Sequence, residues 1–232
     1  MSPRSGPAHL LIVAGLAFEA RAAQRAAATH DDVRVLYGVG EQGLGDRLDE
    51  QVAGARALLS FGTAGALASS LRVGDWIVAD GVLAADSATS GVALPVDAAW
   101  CERLSERLAG ACRGPLLGVA RPVTTPEARR ALQRETGAVA ADMESLVLAR
   151  AAARHGVPFC ACRVVIDDAA RTLPDAALAG MRPDGAVAPL RVIAALARRP
   201  WELPALLSLA RDAGHARRRL QHDAAAIVQA SR

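Results

Sequence analysis

Seven short apolar runs alternate with amphipathic, Ala-rich stretches along this chain, and that alternation confines it to folds in which helices cover a buried sheet. The runs place strands at His9–Ala14, Val33–Tyr37, Ala57–Phe61, Trp76–Ala79, Leu116–Val119, Val139–Ala141 and Pro158–Ile166. The last run is continuously apolar instead of alternating, as expected of a strand covered on both faces. Helical patterning predicts Glu19–Ala28, Leu44–Gly54, Ala98–Ala111, Pro126–Glu135, Ser145–His155 and two or three helices after Val187. The expectation is a three-layer α/β/α sandwich around a mixed, mostly parallel central sheet. A length of 232 residues suits one domain over 1–232, with 187–232 a helical C-terminal region.

That C-terminal region has its own character. Val187–Arg199 is apolar with Arg at its end, Pro200 and Pro204 bracket Trp201, and apolar residues continue from Leu206 toward Arg217-Arg218-Arg219. Helices closing the sheet would look like this, with Arg in their last turns favoured by the helix dipole. A surface touching lipid would look the same, with Trp and Leu on one side and Arg on the other, which makes 187–219 a candidate for peripheral membrane contact.

Composition excludes several classes. No apolar run reaches the roughly 20 residues of a spanning helix, and the segment from Met1 lacks the form of a signal peptide, so a cytoplasmic location is expected. The net charge is +3, but all basic residues are Arg, dispersed until the C-terminal quarter, and aromatics make up only 3%. Nucleic-acid binders concentrate charge and offer stacking platforms, so no nucleic-acid partner is expected. Cys101, Cys112, Cys160 and Cys162 lack metal-ligand spacing and the histidines do not cluster, so no metal site is expected. Cys160 and Cys162 alternate in one strand and read as small buried hydrophobes.

Polar chemistry gathers at strand ends, where α/β folds bind ligands. Gly62-Thr63-Ala64-Gly65 follows the run ending at Phe61 and reads as a small loop. Its glycines permit close backbone approach and Thr63 offers a hydroxyl. The segment matches neither the phosphate loop of nucleotide hydrolases nor the dinucleotide fingerprint. Ala140-Ala-Asp-Met-Glu-Ser145 ends a strand in two acids just before a helix, where Glu144 would suit the helix N-terminus. Arg163-Val-Val-Ile-Asp-Asp168 again delivers carboxylates at a strand end. Two such ends with a Gly-rich segment form the arrangement of an active site.

Taken in order, these segments resemble the nucleoside phosphorylase and nucleosidase superfamily. The likeness runs over roughly 9–170: Gly62–Leu67 followed by Leu71-Arg-Val-Gly-Asp75, the Met143-Glu144 pair, and the strand ending at Asp167. Ala14-Gly-Leu-Ala-Phe-Glu19 is similar to the first strand and loop of methylthioadenosine/S-adenosylhomocysteine nucleosidases. Ala17–Arg21 and Arg198–Pro200 are similar to segments of hopanoid-associated phosphorylases, the nearest likeness within the superfamily.

The resemblance implies cleavage of the N-glycosidic bond of an adenine nucleoside. The hopanoid likeness narrows it to adenosylhopane in hopanoid biosynthesis, a lipid-linked nucleoside. Asp167 would protonate the departing purine, Glu144 would hold the ribose hydroxyls, and Met143 would pack under the sugar. Gly62, Thr63, Ala64 and Gly65 would lie near the nucleophile, and Glu19 would activate water. Phosphate-using relatives carry Arg in the first loop and again at the position of Ser60. Both departures favour hydrolysis, although inorganic phosphate stays open as a co-substrate; no other cofactor is implied. A homo-oligomer is implied as well. An ordinary methylthioadenosine/S-adenosylhomocysteine nucleosidase and a non-catalytic nucleoside-binding or membrane-peripheral module are the alternatives.

Overall fold

The computed structural model describes residues 8–85, 93–180, 182, 184–186 and 188–232. Seven strands form one mixed sheet in the order β2-β1-β3-β6-β5-β4-β7: β1 His9–Ala14, β2 Val33–Tyr37, β3 Ala55–Ala66, β4 Trp76–Ala84, β5 Cys112–Gly118, β6 Ala140–Asp142 and β7 Phe159–Asp167. Pairing is parallel except for β3 with β6 and β4 with β7. Strand β7 also pairs with β3, so part of the sheet closes on itself. Periodicity carried no sign of that closure, because it depends on which strands meet.

The helices are α1 Ala17–Ala26, α2 Gly40–Leu44, α3 Asp46–Val52, α4 Ala98–Arg107, α5 Pro126–Thr136, α6 Ser145–His155, α7 Asp175–Ala179, α8 Pro189–Arg198 and α9 Leu203–Ala230, with a 3₁₀ turn at Pro200–Glu202 between the last two. Alternate residues of the strands feed two cores. Leu11 and Val13 of β1 and Ala161 and Val165 of β7 pack with α3 and α6. Leu10, Ile12, Cys160, Cys162 and Val164 pack with α1, α4 and α9. Both faces of β1 and β7 are therefore covered, which is why those runs are continuously apolar. The four cysteines are free thiols, and no group of residues with metal-ligand geometry occurs among the described residues.

Local chemistry sets the helix ends. The Asp97 carboxylate accepts from the Trp100 amide at 2.9 Å to start α4, and Pro126 opens α5 behind the Thr125 cap. Two expectations need correction, and one helix was not anticipated. The helix expected over Leu44–Gly54 is two, α2 and α3, broken at Gly45, whose φ of +49° a helix cannot contain. The Gly62–Gly65 segment is not a loop but the second half of β3, held on β7 by ladder pairing. Helix α7 follows no apolar period long enough to predict it. The C-terminal helices begin at Pro189; Val187, where that region was expected to start, lies outside the described residues.

Candidate active site

Where β3, β6 and β7 end, three carboxylates from separate segments face one cavity of about 660 Å³. Glu19, Thr63, Ala64, Gly65, Met143, Glu144 and Asp167 all line it. Gly62 stands behind the lining. A Cβ there would come within 2.5 Å of Glu19 Oε2 and 2.6 Å of Arg163 Nη1. Gly15 does the same for Glu144, whose Cδ would lie 2.7 Å from an added Cβ, and Gly65 faces Asp167 at 3.3 Å. Each acid thus lies against a glycine, and that is the use of the Gly-rich segments.

Glu19 sits in the first turn of α1 and is 1% exposed. Its Oε2 accepts from the Gly15 and Leu16 amides at 3.0 and 2.9 Å. Its Oε1 accepts from the Thr63 amide at 2.8 Å and the Thr63 hydroxyl at 2.6 Å. Burial pushes its carboxyl above the ordinary range, opposed by Arg163 and these hydrogen bonds.

The two acids before α6 divide the work. Asp142 caps the helix, accepting from the Ser145 amide at 2.8 Å and the Glu144 amide at 3.2 Å, and from the Ser145 hydroxyl. Glu144 is spared that structural duty. Among the described residues it accepts a hydrogen bond from the Gly40 amide at 3.3 Å and pairs with Arg163, and it keeps acceptor positions toward the cavity. Burial, with Asp142 and Glu19 nearby, pushes its carboxyl up to about 8, against the pull of Arg163.

Arg163 was not singled out as a functional residue from the sequence. It lies in the middle of β7, fully buried, with Nε 2.7 Å from Asp142 Oδ2 and Nη2 3.5 Å from Glu144 Oε2. Nη2 also donates to Ser60 Oγ at 2.6 Å. Ser60, which looked like a lost positive charge, therefore holds a guanidinium in place. Three carboxyl groups, those of Asp142, Glu144 and Glu19, surround that single cation, which leaves it no unengaged positive charge. A charged residue within a buried apolar run was the available signal, since it needs a buried partner.

Asp167 reaches the cavity through a bulge. β7 pairs Val165 with Ala64 and then Asp167 with Gly65, skipping Ile166, so both Ile166 and Asp167 face the cavity. Asp167 is in contact with Arg129, a buried residue of α5 that also donates to the carbonyls of Ala66, Val123 and Asp168. Burial raises the Asp167 carboxyl from its ordinary value, and Arg129 opposes the rise. Nothing in the sequence separates Arg129 from its exposed neighbour Arg130 on the same helix. Asp168 caps the following turn through the Ala170 amide, at 3.1 Å. Of the Arg121–Pro126 loop, Pro122 and Val123 line the cavity.

Beyond the carboxylates the cavity is apolar. Leu173, Ala177, Leu178, Val192, Ile193, Leu206 and Leu209 form its outer half, contributed by α7, α8, α9 and the segment before α7.

The family model described as "Phosphorylase superfamily" matches residues 13–198. Solved structures share the fold at low identity. The 5′-methylthioadenosine/S-adenosylhomocysteine nucleosidase of Helicobacter pylori is 16% identical, with a TM-score of 0.65 over 96% of this chain and 98% of that one. The futalosine hydrolase of the same organism is 17% identical, with a TM-score of 0.65 over 96% and 97%. The S-adenosylhomocysteine nucleosidase of Streptococcus pyogenes is 20% identical, with a TM-score of 0.58 over 71% and 86%. Among curated proteins, none matches the sequence.

Proposed function

We propose that this chain, which belongs to the phosphorylase superfamily, cleaves the N-glycosidic bond of an adenine nucleoside whose 5′ substituent is large and apolar, adenosylhopane by its likeness to hopanoid-associated phosphorylases. The observation carrying this reading is the cavity itself: carboxylates from three segments at one end, apolar helices at the other.

As the bond between C1′ and the purine stretches, positive charge builds on the sugar and negative charge on the base. Asp167, whose carboxyl burial raises toward the protonated form, donates a proton to purine N7 so that adenine leaves neutral. The carboxylate that remains is then stabilised by Arg129. Glu144 accepts hydrogen bonds from the ribose hydroxyls. The positive charge that builds on the sugar favours the ionised form of Glu144, because a nearby positive charge lowers a carboxyl pKa. Met143 lies at the same wall and packs under the sugar.

Water is the acceptor this site favours. Arg163 is already engaged by Asp142 and Glu144, so it offers no spare positive charge to a phosphate dianion. Glu19 takes the proton of the attacking water as its oxygen bonds to C1′. All four of its acceptor positions are filled, and of the four donors only the Thr63 hydroxyl can rotate away, so that hydroxyl yields its place to the water.

The methylthioadenosine/S-adenosylhomocysteine nucleosidase reading shares every step and differs in the 5′ group. The apolar outer half of the cavity, walled by Val192, Ile193, Leu206 and Leu209, favours the larger substituent. Chromatography of products from adenosylhopane and from 5′-methylthioadenosine, each with and without phosphate, tests substrate and acceptor together. Adenine and ribosylhopane with a free anomeric hydroxyl, formed from adenosylhopane at a rate indifferent to phosphate, are expected. A sugar 1-phosphate would replace water with phosphate, and adenine from methylthioadenosine alone would move the assignment to the smaller substrate.

A further inference from the structure

The large apolar side chains left exposed among the described residues are Tyr37, Leu190, Ile193, Trp201, Leu203 and Leu207. All but Tyr37 fall on the corner formed by α8, the 3₁₀ turn and the start of α9. Leu190, Trp201 and Ile193 are 80%, 72% and 62% exposed. No residue of α8 is buried, although the helix carries Leu190, Val192, Ile193 and Leu196. The core therefore does not account for its apolar character.

The same helices wall the outer half of the cavity through Val192, Ile193, Leu206 and Leu209. The exposed patch and the apolar end of the cavity are continuous, meeting at Ile193. Arg199 ties the corner to α7 through Asp175 and pairs within the corner with Glu202. Arg191 and Arg198 are exposed and make no ion pair among the described residues.

A patch of Leu and Trp edged by unpaired guanidiniums fits anionic headgroups above acyl chains. A second copy of this chain fits it less well, because a two-fold contact through this corner would bring like-charged arginines of both copies into one interface. We propose that the α8–α9 corner docks on an anionic lipid surface, with Leu190, Trp201 and Leu207 entering the interface, so that the cavity opens onto the bilayer. Docking stands on the corner alone. The passage of a substrate's apolar tail from bilayer to site rests on the functional reading above.

The test uses the full chain with vesicles of phosphatidylglycerol and phosphatidylcholine, compared with phosphatidylcholine alone. Trp76 and Trp100 are buried and hydrogen-bonded to Asp223 and Ser231, so a change in tryptophan emission reports Trp201. The protein should float with the anionic vesicles, more strongly at low salt, with a blue shift in emission. The variant Leu190→Ser/Trp201→Ser/Leu207→Ser should lose flotation and lose cleavage of vesicle-embedded 5′-dodecylthioadenosine. Its release of adenine from soluble 5′-methylthioadenosine should be unchanged, because none of the three residues lines the cavity. Absence of flotation at low salt overturns the proposal. So does a wild-type dimer that fails to float and that the triple variant converts to monomers. Flotation without adenine release from either nucleoside supports docking and contradicts the enzymatic reading.

Discussion

Arg163 Nη2 lies 3.5 Å from Glu144 Oε2, and the guanidinium also serves Asp142 and Ser60, with neither side chain of the Arg163–Glu144 pair open to solvent. One buried cation thus holds together the helix cap and the acid assigned to the sugar. Replacing Arg163 with Met would leave Asp142, Glu144 and Glu19 facing each other without a counter-charge. Stability should fall by about 3–5 kcal/mol in urea titration. A loss within about 0.5 kcal/mol would mean that the network is dispensable.

The raised Glu144 carboxyl makes stability pH-dependent. Its ordinary value is 4.5 and its folded value about 8, so between these the folded state binds the extra proton. Stability should be fullest below about 4.5 on this account and decline as pH rises toward 8. Glu144→Gln removes the titrating group. Denaturation midpoints measured from pH 5 to 8 should fall less steeply in that variant, and identical slopes would contradict the assignment.

Arg129 pulls the Asp167 carboxyl down while burial pushes it up. If Asp167 is the acid, activity falls as pH rises through its pKa. Arg129→Gln should move that alkaline limb of the kcat profile to higher pH, even though lost bonds to the Val123, Ala66 and Asp168 carbonyls lower stability. A limb that stays in place would detach Arg129 from the proton transfer.

Gly15→Ala sets a Cβ 2.7 Å from Glu144 Cδ, and the carboxylate must move. A displacement near 1 Å at a positioned group costs about 10²-fold, so kcat/KM for adenine release should drop by that order. Unchanged kinetics would place Glu144 outside sugar binding.

Much of the fold was legible because each strand is a local apolar run. All seven strands lie where those runs are, and Glu19, Glu144 and Asp167 stood out as acids ending or following them. The extension of β3 through Gly62–Gly65 was hidden by its glycines, which look like a loop but serve close approach of acids from other segments. Arg129 and Arg163 were hidden for a related reason. Their partners are distant in sequence, and neither helical nor strand periodicity records who meets whom in three dimensions.

The most direct test of the account is adenine release by Asp167→Asn. The amide keeps the size of the side chain and supplies no acidic proton. The folded variant should bind nucleoside and lose about 10²–10⁴-fold in kcat. Turnover at the wild-type rate would contradict protonation of the leaving base by Asp167, and with it the mechanism built on this cavity.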